Sequence, residues 1–175
     1  MEYAKGAARL LGMIGLTAGG ATAAQAGMES AHADARILGL LSVSAGDVLS
    51  FGSFSEAAGG GIIDMATNGS TNCVGFQWCG GSPQPGTFDV SGEPNHSVHI
   101  SMPGNFFLHS GGNSVEIGNV VFTGSGVTMQ SYFHSNAVLD ASGALEFRIT
   151  GSLWAQPGTP AGSYSGTYTV TVDYQ

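Results

Sequence analysis

The chain has 175 residues, 29 of them glycine, with four Lys plus Arg against twelve Asp plus Glu. A formal charge of −8 and only 9% charged residues leave no basic patch to neutralise phosphates, so nucleic acid is excluded as a partner. The same scarcity of charge, with so much glycine, argues against long amphipathic surface helices.

Met1 to Ala26 has the features of a secretory signal peptide. Lys5 and Arg9 form the positive leader, Leu10–Leu16 the short apolar stretch, and Ala24-Gln25-Ala26 an A-x-A cleavage signal. The apolar stretch is too short to cross a bilayer core, which needs about 20 residues, and no later segment approaches that length. Residues 27–175 retain eleven acids and two bases, Arg36 and Arg148, with no lysine. The expected product is secreted, by way of the periplasm, to the cell surface or the medium.

Residues 27–44 form an N-terminal segment ahead of a domain expected over 45–175. Within it Ala31, Ala33, Ala35, Ile37, Gly39, Leu41 and Val43 alternate onto one face. Two readings stand: the first strand of the domain, or a detachable strand that completes a neighbouring subunit. Beyond it, short apolar runs are punctuated by Gly, Pro, Asn and Ser. Candidate strands are Gly61–Ala66, Asn72–Gln77, Gly86–Val90, Ser97–Met102 and Asn105–Leu108. Further candidates are Val115–Phe122, with Gly118-Asn119 breaking its period as a bulge, and Leu145–Thr150. The final run places Tyr168, Val170, Val172 and Tyr174 on one face and Thr167, Thr169, Thr171 and Asp173 on the other. Eight to ten short antiparallel strands predict an all-β, immunoglobulin-like sandwich.

Cys73 and Cys79 are the only cysteines. In an oxidising compartment two cysteines this close pair, and a hairpin turning at Gly75 would bring them together. Phe76 and Trp78 between them, with Trp154, are candidate loop contacts for a glycan or a partner; packing against the sandwich is the alternative. No metal or cofactor is expected. His96 and His99 sit three apart along a strand and face opposite ways, while His32, His109 and His134 are isolated in sequence. The acids are dispersed without a calcium-loop pattern, which leaves open only a weak calcium site made of loop carbonyls. Neither a G-x-S-x-G nucleophile motif nor a Walker sequence is present, and no catalytic residues are assigned.

Three stretches carry a resemblance. Asp47-Val48-Leu49-Ser50-Phe51-Gly52-Ser53-Phe54, Gly86-Thr87-Phe88-Asp89-Val90-Ser91-Gly92-Glu93-Pro94 and Pro160–Val172 (PAGSYSGTYTVTV) occur in this order. Together they resemble a secreted bacterial β-domain family of unknown function, itself similar to spore coat protein U-like proteins and archaic chaperone–usher pilus subunits. The resemblance implies assembly by donor-strand complementation, in which a neighbour's N-terminal segment fills a groove. On that pattern residues 31–43 would be the donor, and Tyr168, Val170, Val172 and Tyr174 would border the acceptor groove. Partners would be further copies of the chain, a periplasmic chaperone and an outer-membrane usher. One departure is that the pilin-like relatives usually carry a cysteine near the first strand, whereas this chain has its pair at Cys73 and Cys79. The function expected is a non-catalytic structural subunit of a pilus-like surface fibre or coat. The alternative is a monomeric adhesin module that binds glycans through loop aromatics.

Overall fold

The structure, a computed structural model, describes residues 35–56 and 58–175. The expected signal peptide and the donor positions Ala31 and Ala33 lie outside the described residues. Every described element is a strand, and every pairing is antiparallel.

One sheet is organised around a long central strand, β12 (Ala144–Ala155). The elements before it, in chain order, are β1 (Ser42–Ala45), β2 (Ser53–Phe54), β3 (Gly61–Met65), β4 (Thr71–Val74) and β5 (Cys79–Gly80). Then come β6 (Gly86–Ser91), β7 (Ser97–Ser101), β8 (Phe106–Ser110), β9 (Asn113–Gly124), β10 (Val127–Ser131) and β11 (His134–Val138). The last is β13 (Thr171–Tyr174). One edge of β12 carries β9 along most of its length. The other is shared, with β6 pairing Ala144–Ile149 and β3 pairing Ser152–Ala155. β1 lies outside β6, β4 outside β3, and β8 along the first half of β9. A second sheet runs β10-β11-β7-β13, and a small ribbon pairs β2 with β5.

Alternation sends apolar side chains inward from both sheets. The main core joins Val90, Phe122, Phe147 and Ile149 of the first sheet to Val98, Ile100, Ala137 and Val172 of the second. A second cluster, with Phe51, Ile63, Ile117 and Leu153, lies towards the small ribbon. This is the antiparallel sandwich expected from the period-two runs. The break at Gly118-Asn119 is a bulge: Val121 faces Thr150 and Gly118 faces Ser152, so two residues oppose Gly151 alone. Asn119 takes the left-handed φ of 49° that this geometry requires.

Two expectations are corrected. The cysteines do not face each other across a hairpin. β4 pairs with β3 while β5 pairs with β2, so the Cys73–Cys79 bond joins an edge of the large sheet to the ribbon. Gly75 still makes the turn between them, at φ 87°. Trp154 is not on a loop but within β12, opposite Ile62 and Glu116, because the strand runs beyond Thr150 to Ala155.

Candidate functional site

The two sheets each end in an exposed edge strand on the same side of the sandwich, β1 in one and β13 in the other. The residues that bridge this side show that the edges are neighbours. A side chain at Gly86 would meet the Tyr168 hydroxyl and Leu49. One at Gly92 would meet the Tyr174 hydroxyl, Leu41 and Leu139. The tyrosines of the C-terminal run therefore reach across to β6, and only glycine there leaves them room.

The C-terminal run keeps the facing expected of it. Tyr168, Val170, Val172 and Tyr174 point inward, and Thr167, Thr169, Thr171 and Asp173 are exposed. Tyr168 packs against Phe106 and Phe88, with ring centroids at 4.9 and 6.1 Å, and burial raises its phenol above the ordinary 10.0. The strand is shorter than its alternation predicts. Ladder pairing starts only at Thr171, and after the Ser165–His109 bridge residues 166–170 pair with no strand among the described residues. Tyr168 and Val170 are partly buried while the backbone of 166–170 is unpaired in the described ladders, a combination open to a further strand.

The N-terminal segment crosses this side of the molecule. Arg36 forms an ion pair with Glu93, whose other carboxylate oxygen accepts the Gly39 N–H at 3.2 Å. Tyr174 donates its hydroxyl to the Gly39 carbonyl at 3.1 Å and accepts the Glu93 N–H at 2.6 Å. The Arg36 guanidinium and then the Gly39 amide hold the Glu93 carboxyl below its ordinary 4.5. From Ser42 the segment becomes β1, paired Ser42↔Ser91 through Ala45↔Phe88.

The single-face alternation expected of residues 35–43 is not the burial pattern found. Leu38 and Leu41 are partly buried, Leu41 against the main core, whereas Ile37 is 95% and Leu40 90% exposed. Ala35 and Gly39 are exposed, and Val43 sits at the exposed edge of β1. Ladder bonds to β6 begin only at Ser42, and all four residues of β1 are exposed. Before Ser42, the Glu93 and Tyr174 contacts set the path instead.

Of the aromatic candidates, Phe76 packs against Phe54 with centroids at 4.9 Å, while Trp78 stays 56% exposed. Nearby, a cleft of about 610 Å³ is lined by Leu49, Phe51, Phe54, Phe76, Leu153 and Tyr164 among others. Glu56 and Tyr164 are its only titratable side chains among the described residues. No group of three or more His, Cys, Asp or Glu is placed to hold a metal among the described residues. No described helix is long and apolar enough to cross a membrane. His134 is not isolated in space: β11 brings it to His99, a pairing across 35 residues that depends on strand register and leaves no local signal.

No curated protein and no solved structure matches the chain. Residues 41–174 do match a described family across nearly the whole sandwich, and the chain belongs to it: the family described as a domain of unknown function, DUF4402.

Proposed function

We propose that the chain is a structural subunit of a secreted surface fibre or coat, without catalytic activity, that assembles by exchange of its N-terminal strand. The single observation that carries this reading is the pair of exposed apolar side chains, Ile37 and Leu40, beside an open sandwich edge. An isolated monomer gains nothing from them. As an extended strand turns Ile37 and Leu40 to opposite faces, Ile37 is the one that a neighbour's groove would bury, contributing about 1.5–3 kcal/mol. The unpaired backbone at 166–170 supplies a matching edge for main-chain hydrogen bonds. In this reading the domain is an immunoglobulin-like sandwich. Its donor is the stretch through Ile37, Gly39 and Leu41, and its groove is bordered by Tyr168, Val170, Val172 and Tyr174. Export through the periplasm, with a chaperone and an usher as partners, belongs to the same proposal.

Exposed Trp78 favours a second reading, a monomeric glycan-binding module. One experiment separates the two. Purified chain and a truncation lacking residues 28–41 are compared by light scattering and negative-stain microscopy. The first reading expects polymers from the chain and stable monomers from the truncation. Filaments from the truncation would sink it, and monomers from both, with Trp78-dependent glycan retention, would support the second.

A further inference from the structure

We propose that His99 and His134 form a binding site for one late first-row divalent cation, Cu²⁺ in preference to Zn²⁺, on the outer face of the second sheet. The proposal is independent of how the chain assembles.

The site follows from register. Val98 and Ile100 point into the core, so Ser97, His99 and Ser101 of β7 face outward. On β11, Ser135 and Ala137 are buried, and His134, Asn136 and Val138 face outward. The pairings His134↔Ser101 and Asn136↔His99 make the two histidines diagonal neighbours. Their ring planes lie within 20° of each other with centroids 5.6 Å apart, while His134 Nδ1 and His99 Nε2 are only 3.4 Å apart. Most of the centroid separation therefore lies along the line joining these nitrogens: the rings meet end to end rather than face to face.

Asn136 settles which nitrogen of His99 is free. Its Oδ1 accepts Gln175 Nε2–H at 2.7 Å, and an amide oxygen can only accept, so His99 Nδ1 donates to it at 3.0 Å. Neutral His99 then presents the Nε2 lone pair towards His134. Metal-bound histidines are held in this way, with the second ring nitrogen donating to a fixed oxygen. His134 is exposed, so its proton can move to Nε2 through solvent. That tautomer turns the Nδ1 lone pair towards His99 without net loss of a proton.

Two nitrogens bound at about 2.0–2.1 Å lie roughly 3.3 Å apart at a tetrahedral angle and roughly 2.9 Å apart at the right angle of a tetragonal Cu²⁺ site. The present 3.4 Å is near the first and about half an ångström above the second, so binding asks for a tilt of each ring and, for Cu²⁺, a small approach. At 3.4 Å the existing N–H···N contact is long and weak, and a metal that replaces it displaces little. Asp173 on β13 is the cross-strand partner of His99 and faces outward, which brings a negative charge beside the site. The remaining coordination positions would be taken by water. Imidazole nitrogen suits both ions, and the general order of affinity places Cu²⁺ above Zn²⁺.

The test is calorimetric titration of the full chain with CuCl₂ and ZnCl₂, paired with electron paramagnetic resonance of the Cu²⁺ form. The expected result is a Cu²⁺ site whose spectrum reports two imidazole nitrogens. His134→Ala should weaken that site at least tenfold, and Asn136→Ala should weaken it roughly 10–100-fold through loss of ring orientation. His96→Ala should leave it unchanged. Because His134 is exposed, its replacement should keep the fold, checked by an unchanged melting temperature without metal. Bound Cu²⁺ should raise that temperature in the original chain and not in His134→Ala. Equal affinity in both proteins, a one-nitrogen spectrum, or no binding would overturn the proposal.

Discussion

Gly92 lies where three side chains converge. A Cβ there would stand 2.9 Å from Leu41 Cδ1 and 3.0 Å from Leu139 Cδ1, and closer still to the Tyr174 hydroxyl. Leu139 belongs to the packed core, and Tyr174 is held at both ends of its hydrogen-bond pair, so neither can retreat cheaply. Gly92→Ala should therefore destabilise the fold by about 1–3 kcal/mol, as overpacking does. Urea unfolding checks this, and an unchanged midpoint would show that the contacts yield. The matching glycine of the same motif, Gly86, has Tyr168 and Leu49 in the equivalent positions. The spacing in Gly86–Pro94 thus has a cause: two places, at the start of β6 and just past its end, where a side chain would collide with a tyrosine. Ser135 is a different case, fully buried with an unpartnered hydroxyl. Nothing in the structure explains its choice over alanine.

At the scale of elements, the Cys73–Cys79 bond ties together two strands that share no ladder. Closing so small a ring is worth about 2 kcal/mol of unfolded-state entropy. Replacing both cysteines by serine should lower the unfolding free energy by about that much. Its local effect should be faster amide exchange in β2 and β5, whose two-residue ladder has few other supports, while β9 and β12 stay protected. Uniform loss of protection in all four strands would contradict this division. Such features differed in how far they could be read from the chain. The runs at Ser97–Ser101 and Leu145–Thr150 were legible because one face is apolar and the other polar. The bulge was legible because Gly118-Asn119 interrupts a period. β10 and β11 were not legible, since β11 turns Ser135 and Ala137 inward and Val138 outward, inverting the usual contrast. The extension of β12 was hidden by Gly151 and Ser152, small residues in its most buried stretch, where Ser152 Oγ donates to Asp64 at 2.5 Å. The candidate sites divide in the same way. The tyrosine face followed from alternation, while the histidine pair required a register that no single segment contains.

Across the whole molecule, both described cations are paired, Arg36 with Glu93 and Arg148 with Glu146 at 3.8 Å. Only the first ties the N-terminal segment down. Glu93 titrates below its ordinary value, so its contribution is complete above 4.5 and is lost as pH falls through the lowered folded value. The Gly39 amide should be protected near neutral pH and released at strongly acidic pH, before the β12 ladder opens. Hydrogen exchange across that range checks this, and simultaneous loss at both places would mean the carboxylate is not the latch. Beneath that latch, Tyr168 and Tyr174 are six residues apart along the C-terminal run, and Gly86 and Gly92 are six apart at the start of β6 and just past its end. Two tyrosines over two gaps at equal spacing act as a vernier: they coincide at one setting only. Sliding one sheet against the other by a residue pair would drive both hydroxyls onto larger side chains at once. The sandwich therefore closes in a single alignment.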